Sequence, residues 1–192
     1  MTSATETDER ELGRYRDYLR VLARLQLSAH TRTKLDASDI AQQAILHAHA
    51  HREQFRGTTE AEWLGWLRTI LANTLAAAVR EFNTAARDLN RERSLEAELE
   101  HSSTRLEGLL AADQSSPSEG AVRGEELVRL AGALGRLPFD QRRVVELHHL
   151  KGLTVAEVAE EMGRSRPAVV GLLFRGLNRL RVLLAEDRGG AA

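Results

Sequence analysis

The chain has 192 residues, 42% of them hydrophobic but only 4% aromatic, and its net charge of −1 excludes a uniformly basic nucleic-acid binder. It contains no cysteine, which rules out disulfides and thiolate zinc sites and fits a reducing compartment. No apolar run approaches the roughly 18 residues of a membrane span, and the polar start MTSATETDERE is unlike a secretory signal, so a cytoplasmic protein is expected. Leu12, Tyr15, Leu19, Leu22 and Leu25 recur at helical spacing and predict a first amphipathic helix. Residues 36–51 form a second, with Asp36 and Asp39 at its positive N-terminal end. Phe55-Arg56-Gly57 breaks that helix, and Thr59 with Glu62 has the spacing of a capping box. A third helix from about Glu60 to Arg87 then carries Trp63, Trp66, Leu67, Ile70, Leu71, Leu75 and Val79. No period-two run suggests a strand.

The charge is sorted along the chain. Residues 96–126 hold eight acids against Arg105 and Arg123, whereas residues 161–181 hold five arginines against Glu161 alone. The acidic stretch 94–124 includes the cluster DQSSPSEG and is expected to be a linker, with Leu106, Leu109 and Leu110 able to dock. Helical patterning returns with Leu127, Leu130, Leu134 and Leu137, and again after Pro138 with Val144, Val145, Leu147 and Leu150. The expected fold is therefore all-α, with two small helical domains (9–93 and 125–186) joined by an acidic linker (94–124).

Residues 155–174 spell a helix-turn-helix. Thr154 and Glu157 form a capping box, while Val158, Ala159 and Met162 face inward, and Ala159 is small where two helices cross. Gly163 supplies the positive φ of the turn, Ser165 caps the second helix, and Pro167 sits in its first turn. Val169 and Leu172 close the apolar contact. Residues expected to point at base edges are Ser165, Arg166, Pro167, Val170, Gly171 and Phe174. Of these only Arg166 has the donor fork that reads guanine. Arg164, Arg175, Arg179 and Arg181 suit phosphates, which position a domain without reading sequence. Such a domain alone should bind DNA weakly.

Taken together, these segments resemble the sigma-70 family of bacterial RNA polymerase sigma factors, in its extracytoplasmic-function (ECF) group. The stretch DASDIAQQAIL (36–46) resembles the family's core-binding helix. FRG (55–57) followed by WLRTILAN (66–73) resembles its F-R-G…W-L-x-x-I-x-x-N segment, and LPFDQRRVVELHHLKGLTVAEVAEEMG (137–163) its −35-reading domain. The stretches LLAADQSSPSE and SRPAVVGLLFRGL are similar to a planctomycete-type branch. The resemblance implies that Asp36, Asp39, Ile40, Gln42 and Gln43 dock on the β′ clamp helices of core RNA polymerase, with the β flap as a second contact. Gln43 stands where an acid is commoner, which would weaken one charge-assisted contact. It also implies that Phe55 and Asn73 shape a pocket for a base flipped from the −10 element, while Arg80 and Arg87 track phosphates. The connector would thread the polymerase RNA path, and an anti-sigma factor is a further partner class.

Plainer readings stand beside these. Trp63 and Trp66 suit core anchors better than base-stacking platforms. Phe55 can also be read as a hydrophobic staple, and Arg80 and Arg87 as a solvated face. His47 and His51 have the i, i+4 spacing of metal ligands but no third ligand nearby, so neither metal nor cofactor is expected. No nucleophile–base pair or phosphate-cradling loop suggests an enzyme. Two alternatives to a sigma factor remain open: a stand-alone helix-turn-helix regulator that binds operators without polymerase, and a sigma-like decoy.

Overall fold

A computed structural model describes residues 12–27, 31, 34–82, 89–111 and 120–189, and among these every regular element is a helix. Helix α1 (Arg16–Gln26) buries Tyr18, Leu19, Val21, Leu22 and Leu25. Helix α2 (Ala37–Ala50) is capped by Asp36, whose Oδ1 accepts the Ser38 N–H at 2.6 Å. A 3₁₀ turn (Arg52–Gln54) leads into an extended stretch, and α3 (Glu60–Phe82) follows. Its capping box forms as the spacing predicts. Glu62 Oε2 accepts the Thr59 N–H at 2.9 Å, and Thr59 Oγ1 accepts the Glu62 N–H at 3.3 Å. Gly57 is required beside it, because a Cβ there would lie 2.5 Å from the Phe55 ring and 2.8 Å from Glu62 Cβ.

Much of the expected linker is helical. Residues 94–111 belong to α4 (Leu89–Ala111), which buries Leu99, Ser102, Ser103 and Leu106. The reason is a narrow row at positions 95, 99, 102, 106 and 109, spaced for one helix face. Its acidic neighbours hide that row from composition. Residues 112–119, which take in all of the DQSSPSEG cluster except its final Gly120, lie outside the described residues, as does Arg87.

The C-terminal half contains α5 (Gly120–Arg136), α6 (Phe139–Val145), a π-helical segment (Glu146–Leu150), α7 (Val155–Met162) and α8 (Arg166–Gly189). Helix α6 packs on α8, and α7 closes against both α8 and the π segment. The halves also pack on each other: α5 lies against α1, α3 and α4, and α4 lies against the π segment. One hydrophobic cluster runs through both, from Leu12 to Leu183.

Polar groups fasten this seam. Arg24 of α1 donates to Glu146 Oε1 from Nη2 at 2.6 Å and from Nε at 3.0 Å. Arg105 of α4 donates to the Leu150 carbonyl at 3.3 Å. Helix α5 comes close because it presents glycines: a Cβ on Gly124 would lie 2.2 Å from Glu60 Cγ, and one on Gly135 would lie 2.7 Å from Arg20 Nη2. Within the N-terminal half, the buried Tyr18 hydroxyl meets Ser103 Oγ at 3.0 Å and receives Arg68 Nη1 at 3.2 Å. Burial raises the Tyr18 pKa, so the phenol stays protonated.

Candidate nucleic-acid interface

The helix-turn-helix is assembled from short-range signals that the sequence carries. Thr154 and Glu157 form a reciprocal capping box at the start of α7. The hydrogen bonds from the Thr154 hydroxyl and backbone N–H hold the Glu157 carboxyl below its ordinary pKa. Gly163 takes the left-handed conformation at φ 61°, and Arg164 N–H returns to the Ala159 carbonyl at 2.9 Å. Ser165 Oγ accepts the Ala168 N–H at 3.4 Å and so caps α8. Val158, Ala159, Val169 and Leu173 are buried between the helices. Leu172, expected at that contact, is half-buried, because one residue further along the helix points more directly at α7.

This packing leaves the opposite face of α8 open. Arg166, Val170 and Phe174 fall at i, i+4 and i+8 and are all exposed, Val170 by 54% and Phe174 by 68%. Ser165 and Pro167 are exposed beside them, and Gly171 is half-buried. Arg175 and Arg179 are exposed on the far flank. Arg164 is exposed but ion-paired with Asp140 at 2.9 Å, and Arg181 donates to Asn178 Oδ1 at 3.1 Å. An exposed pair of this kind is weak and yields readily to a phosphate. The face thus offers one exposed guanidinium with the donor fork that could read guanine, two apolar side chains and a fringe of cations.

The N-terminal half presents a different face. On α2, Asp39 and Gln43 are exposed and Gln42 is half-buried, while Asp36 is committed to its cap. Ile40, expected among the docking residues, is 2% exposed and faces the chain's own core. It packs behind the exposed Asp39 and Gln43. The structure adds Leu46, which the motif reading passes over. It is 57% exposed, and at i+7 from Asp39 it continues the Asp39–Gln43 row. The signal available in the sequence is a leucine on the polar side of the helix.

Phe55 packs edge-on against Trp63, with ring centroids 4.9 Å apart, and tilts against Trp66 at 5.5 Å. The Arg52 guanidinium lies 4.1 Å from the Trp63 ring centroid. Phe55 is therefore both a packing residue and a wall, because it lines a cavity of about 320 Å³ with Arg14, Tyr15, Arg52, Thr58, Glu60 and Trp63 among others. In that cavity the Tyr15 hydroxyl donates to Glu60 Oε1 at 2.7 Å. Burial, reinforced by this bond, pushes its pKa up to about 12. Asn73 does not line the cavity. It is exposed on α3, about 10 Å along the helix from Trp66 and on the same face. Arg80 is half-buried on that helix. His47, one of the two histidines at metal-ligand spacing, meets Thr74 Oγ1 at 3.3 Å.

A capped helix-turn-helix whose outward face carries arginines is the frame of a DNA-binding protein, and comparison with known proteins specifies which. Residues 127–180 match the family model described as Sigma-70, region 4. The chain is 30% identical to the ECF RNA polymerase sigma factor SigM of Mycobacterium tuberculosis over 172 residues, covering 89% of this chain and 74% of that protein. It is 27% identical to SigL of the same organism over 172 residues, covering 90% and 87%. It is also 34% identical to the RNA polymerase sigma factor CnrH of Cupriavidus metallidurans over 82 residues, a match that spans only 43% of each chain. The chain belongs to the ECF family of RNA polymerase sigma factors.

Proposed function

We propose that this chain is a promoter-specificity subunit, which acts only when bound to core RNA polymerase and is not itself an enzyme. Residues 9–93 form its polymerase-binding and −10-reading part, and residues 125–186 its −35-reading part. In this reading Asp39, Gln42, Gln43 and Leu46 dock on the β′ clamp helices, with Asp36 and Ile40 holding α2 in shape, and the C-terminal part meets the β flap. Arg166, with Ser165, Pro167, Val170 and Gly171, faces base edges of the −35 element. Arg164, Arg175 and Arg179 meet its phosphates. Phe55 and Asn73 mark the two ends of a surface on which a −10 base would be captured after flipping, with Arg80 and Arg87 along the strand.

The observation that carries the reading is the helix-turn-helix within the region 4 match, on the same chain as an exposed α2 row, Asp39 and Gln43, that ends in the apolar Leu46. The DNA-facing surface has a single base-reading arginine, which suits a protein that gains affinity by holding two weak sites at once. A cytoplasmic location, an anti-sigma factor as a further partner, and membership of a planctomycete-type branch belong to the same proposal. The branch rests on LLAADQSSPSE and SRPAVVGLLFRGL. Co-sedimentation with core RNA polymerase at low salt tests it. The chain should bind stoichiometrically, and absence of binding overturns the proposal.

A further inference from the structure

We propose that the cavity between the start of α1 and the start of α3 is an effector site for a small monocarboxylate with a planar apolar body, such as an arylalkanoic acid. At about 320 Å³ the cavity falls at the lower end of the ordinary range for small-molecule sites, so a single ring with a short acidic arm suits it better than a large ligand. Its lining joins three stretches of chain: Leu12 to Tyr15, Arg52 to Phe55, and Gly57 to Trp63. Asn73 is not part of it. The ligand class follows from the charges and rings that line it and is independent of the promoter reading.

The lining holds two guanidiniums, Arg14 and Arg52, against one carboxylate, Glu60. That carboxylate is already engaged, since Glu60 Oε1 accepts the Tyr15 hydroxyl at 2.7 Å and Arg14 Nη2 at 3.2 Å. The Tyr15 phenol, with its pKa pushed up to about 12, stays protonated and supplies no second anion. One positive charge is therefore in surplus among the described residues of the lining. Arg14 makes both of its side-chain hydrogen bonds from Nη2, which leaves its Nη1 and Nε edge for a further acceptor. The Arg52 guanidinium, 4.1 Å from the Trp63 ring centroid, is held against an apolar wall, where contact with an anion is strengthened by the low local dielectric. The rings form a corner. Trp63 meets Tyr15 at 64° and Phe55 at 77°, with centroids 6.1 and 4.9 Å away, so an inserted ring finds a face on one side and edges on the other. A cation is repelled by this lining, a neutral ring leaves the surplus charge unmatched, and a phosphate dianion exceeds it. A monocarboxylate matches it, with the guanidinium fork as its natural partner.

The chain carries its own reporter. It has two tryptophans, of which Trp63 lines the cavity and Trp66 packs on Trp63 with centroids 4.9 Å apart, so intrinsic fluorescence reads this corner alone. The full-length chain would be titrated with 3-phenylpropionate, with the neutral 3-phenylpropanamide, with acetate and with inorganic phosphate. The acid should give a saturable change, the amide should bind about ten-fold more weakly or worse, and acetate and phosphate should give no saturable change. Arg14→Gln, at a half-exposed side chain, should weaken the acid about ten-fold with helical content unchanged, and Arg52→Gln should do the same. Arg56→Gln, an exposed neighbour outside the lining, should bind the acid as wild type does. Absence of a saturable change with the acid overturns the site. Equal binding of acid and amide overturns the carboxylate assignment, as does equal weakening by Arg14→Gln and Arg56→Gln. If Arg52→Gln loses helical content, the amide comparison and Arg14→Gln still decide. The titration uses the chain alone, so failure to bind core polymerase would count against the promoter reading and leave this result standing.

Discussion

Arg24 and Glu146 lie 122 positions apart, yet Nη2 and Nε of one sit 2.6 and 3.0 Å from the same carboxylate oxygen of the other. Their side chains are 18% and 3% exposed, so either charge left alone would be stranded in the seam. Removing one partner of such a pair is far more disruptive than replacing both. Glu146→Ala should therefore lower the stability measured by urea unfolding by about 3 kcal/mol, whereas Arg24→Leu with Glu146→Leu should stay within about 1 kcal/mol of wild type. Equal losses in the two variants would show that the pair contributes through packing alone.

Gly163 makes the turn between α7 and α8 at φ 61°, with nothing within 4 Å of the position a Cβ would take. The glycine is thus needed for its backbone conformation and not for space. Gly163→Ala should cost about 1 kcal/mol, and Gly163→Asn less, since asparagine tolerates the left-handed region. Thermal unfolding would check this. An alanine variant as stable as wild type would mean that the turn can be made another way.

The helix-turn-helix is legible in the sequence because its instructions are local. The Thr154–Glu157 box, Gly163 and Ser165 each act within five residues, and each forms as expected. The α3 capping box is legible for the same reason. The seam is not. Arg24 reads as a solvated position on an amphipathic helix, and Glu146 as one acid among many; only the folded chain brings them together. The helix over residues 94–111 is hidden differently, by an acid-rich surface around a single narrow row of buried side chains. Leu46 escapes notice because motif matching weights the polar residues beside it.

His149 provides a pH test. Its ring is half-buried against His148, with centroids 4.9 Å apart, and His148 Nδ1–H donates to the Leu153 carbonyl at 2.7 Å. Burial, and secondly His148, lower the His149 pKa below its ordinary 6.5. The unfolded chain therefore takes up this proton at a higher pH than the folded one, and stability falls as the pH drops from the unfolded value through the folded one. Tm should decrease between pH 7.5 and 5.5, and His149→Gln should flatten that decrease. An unchanged slope in the variant would remove His149 as its source.

The two faces of the N-terminal half should separate by assay. Leu46→Asp alters an exposed side chain, so it should leave helical content intact while weakening core polymerase binding ten-fold or more, the scale of an interface anchor. Gln42→Ala should weaken core binding more than open-complex formation. Asn73→Ala should do the reverse, because it lies on the face proposed to meet the −10 strand. Equal effects of Gln42→Ala and Asn73→Ala in both assays would contradict this division.

The most direct test of the central claim is run-off transcription by core RNA polymerase on promoter DNA with and without the −35 element. The proposed function predicts that adding the chain produces initiation at a defined start site. It also predicts that deleting the element, or introducing Arg166→Ala, reduces initiation together with binding. Tight operator binding by the chain alone, with no initiation lent to core polymerase, would contradict it and identify a stand-alone regulator.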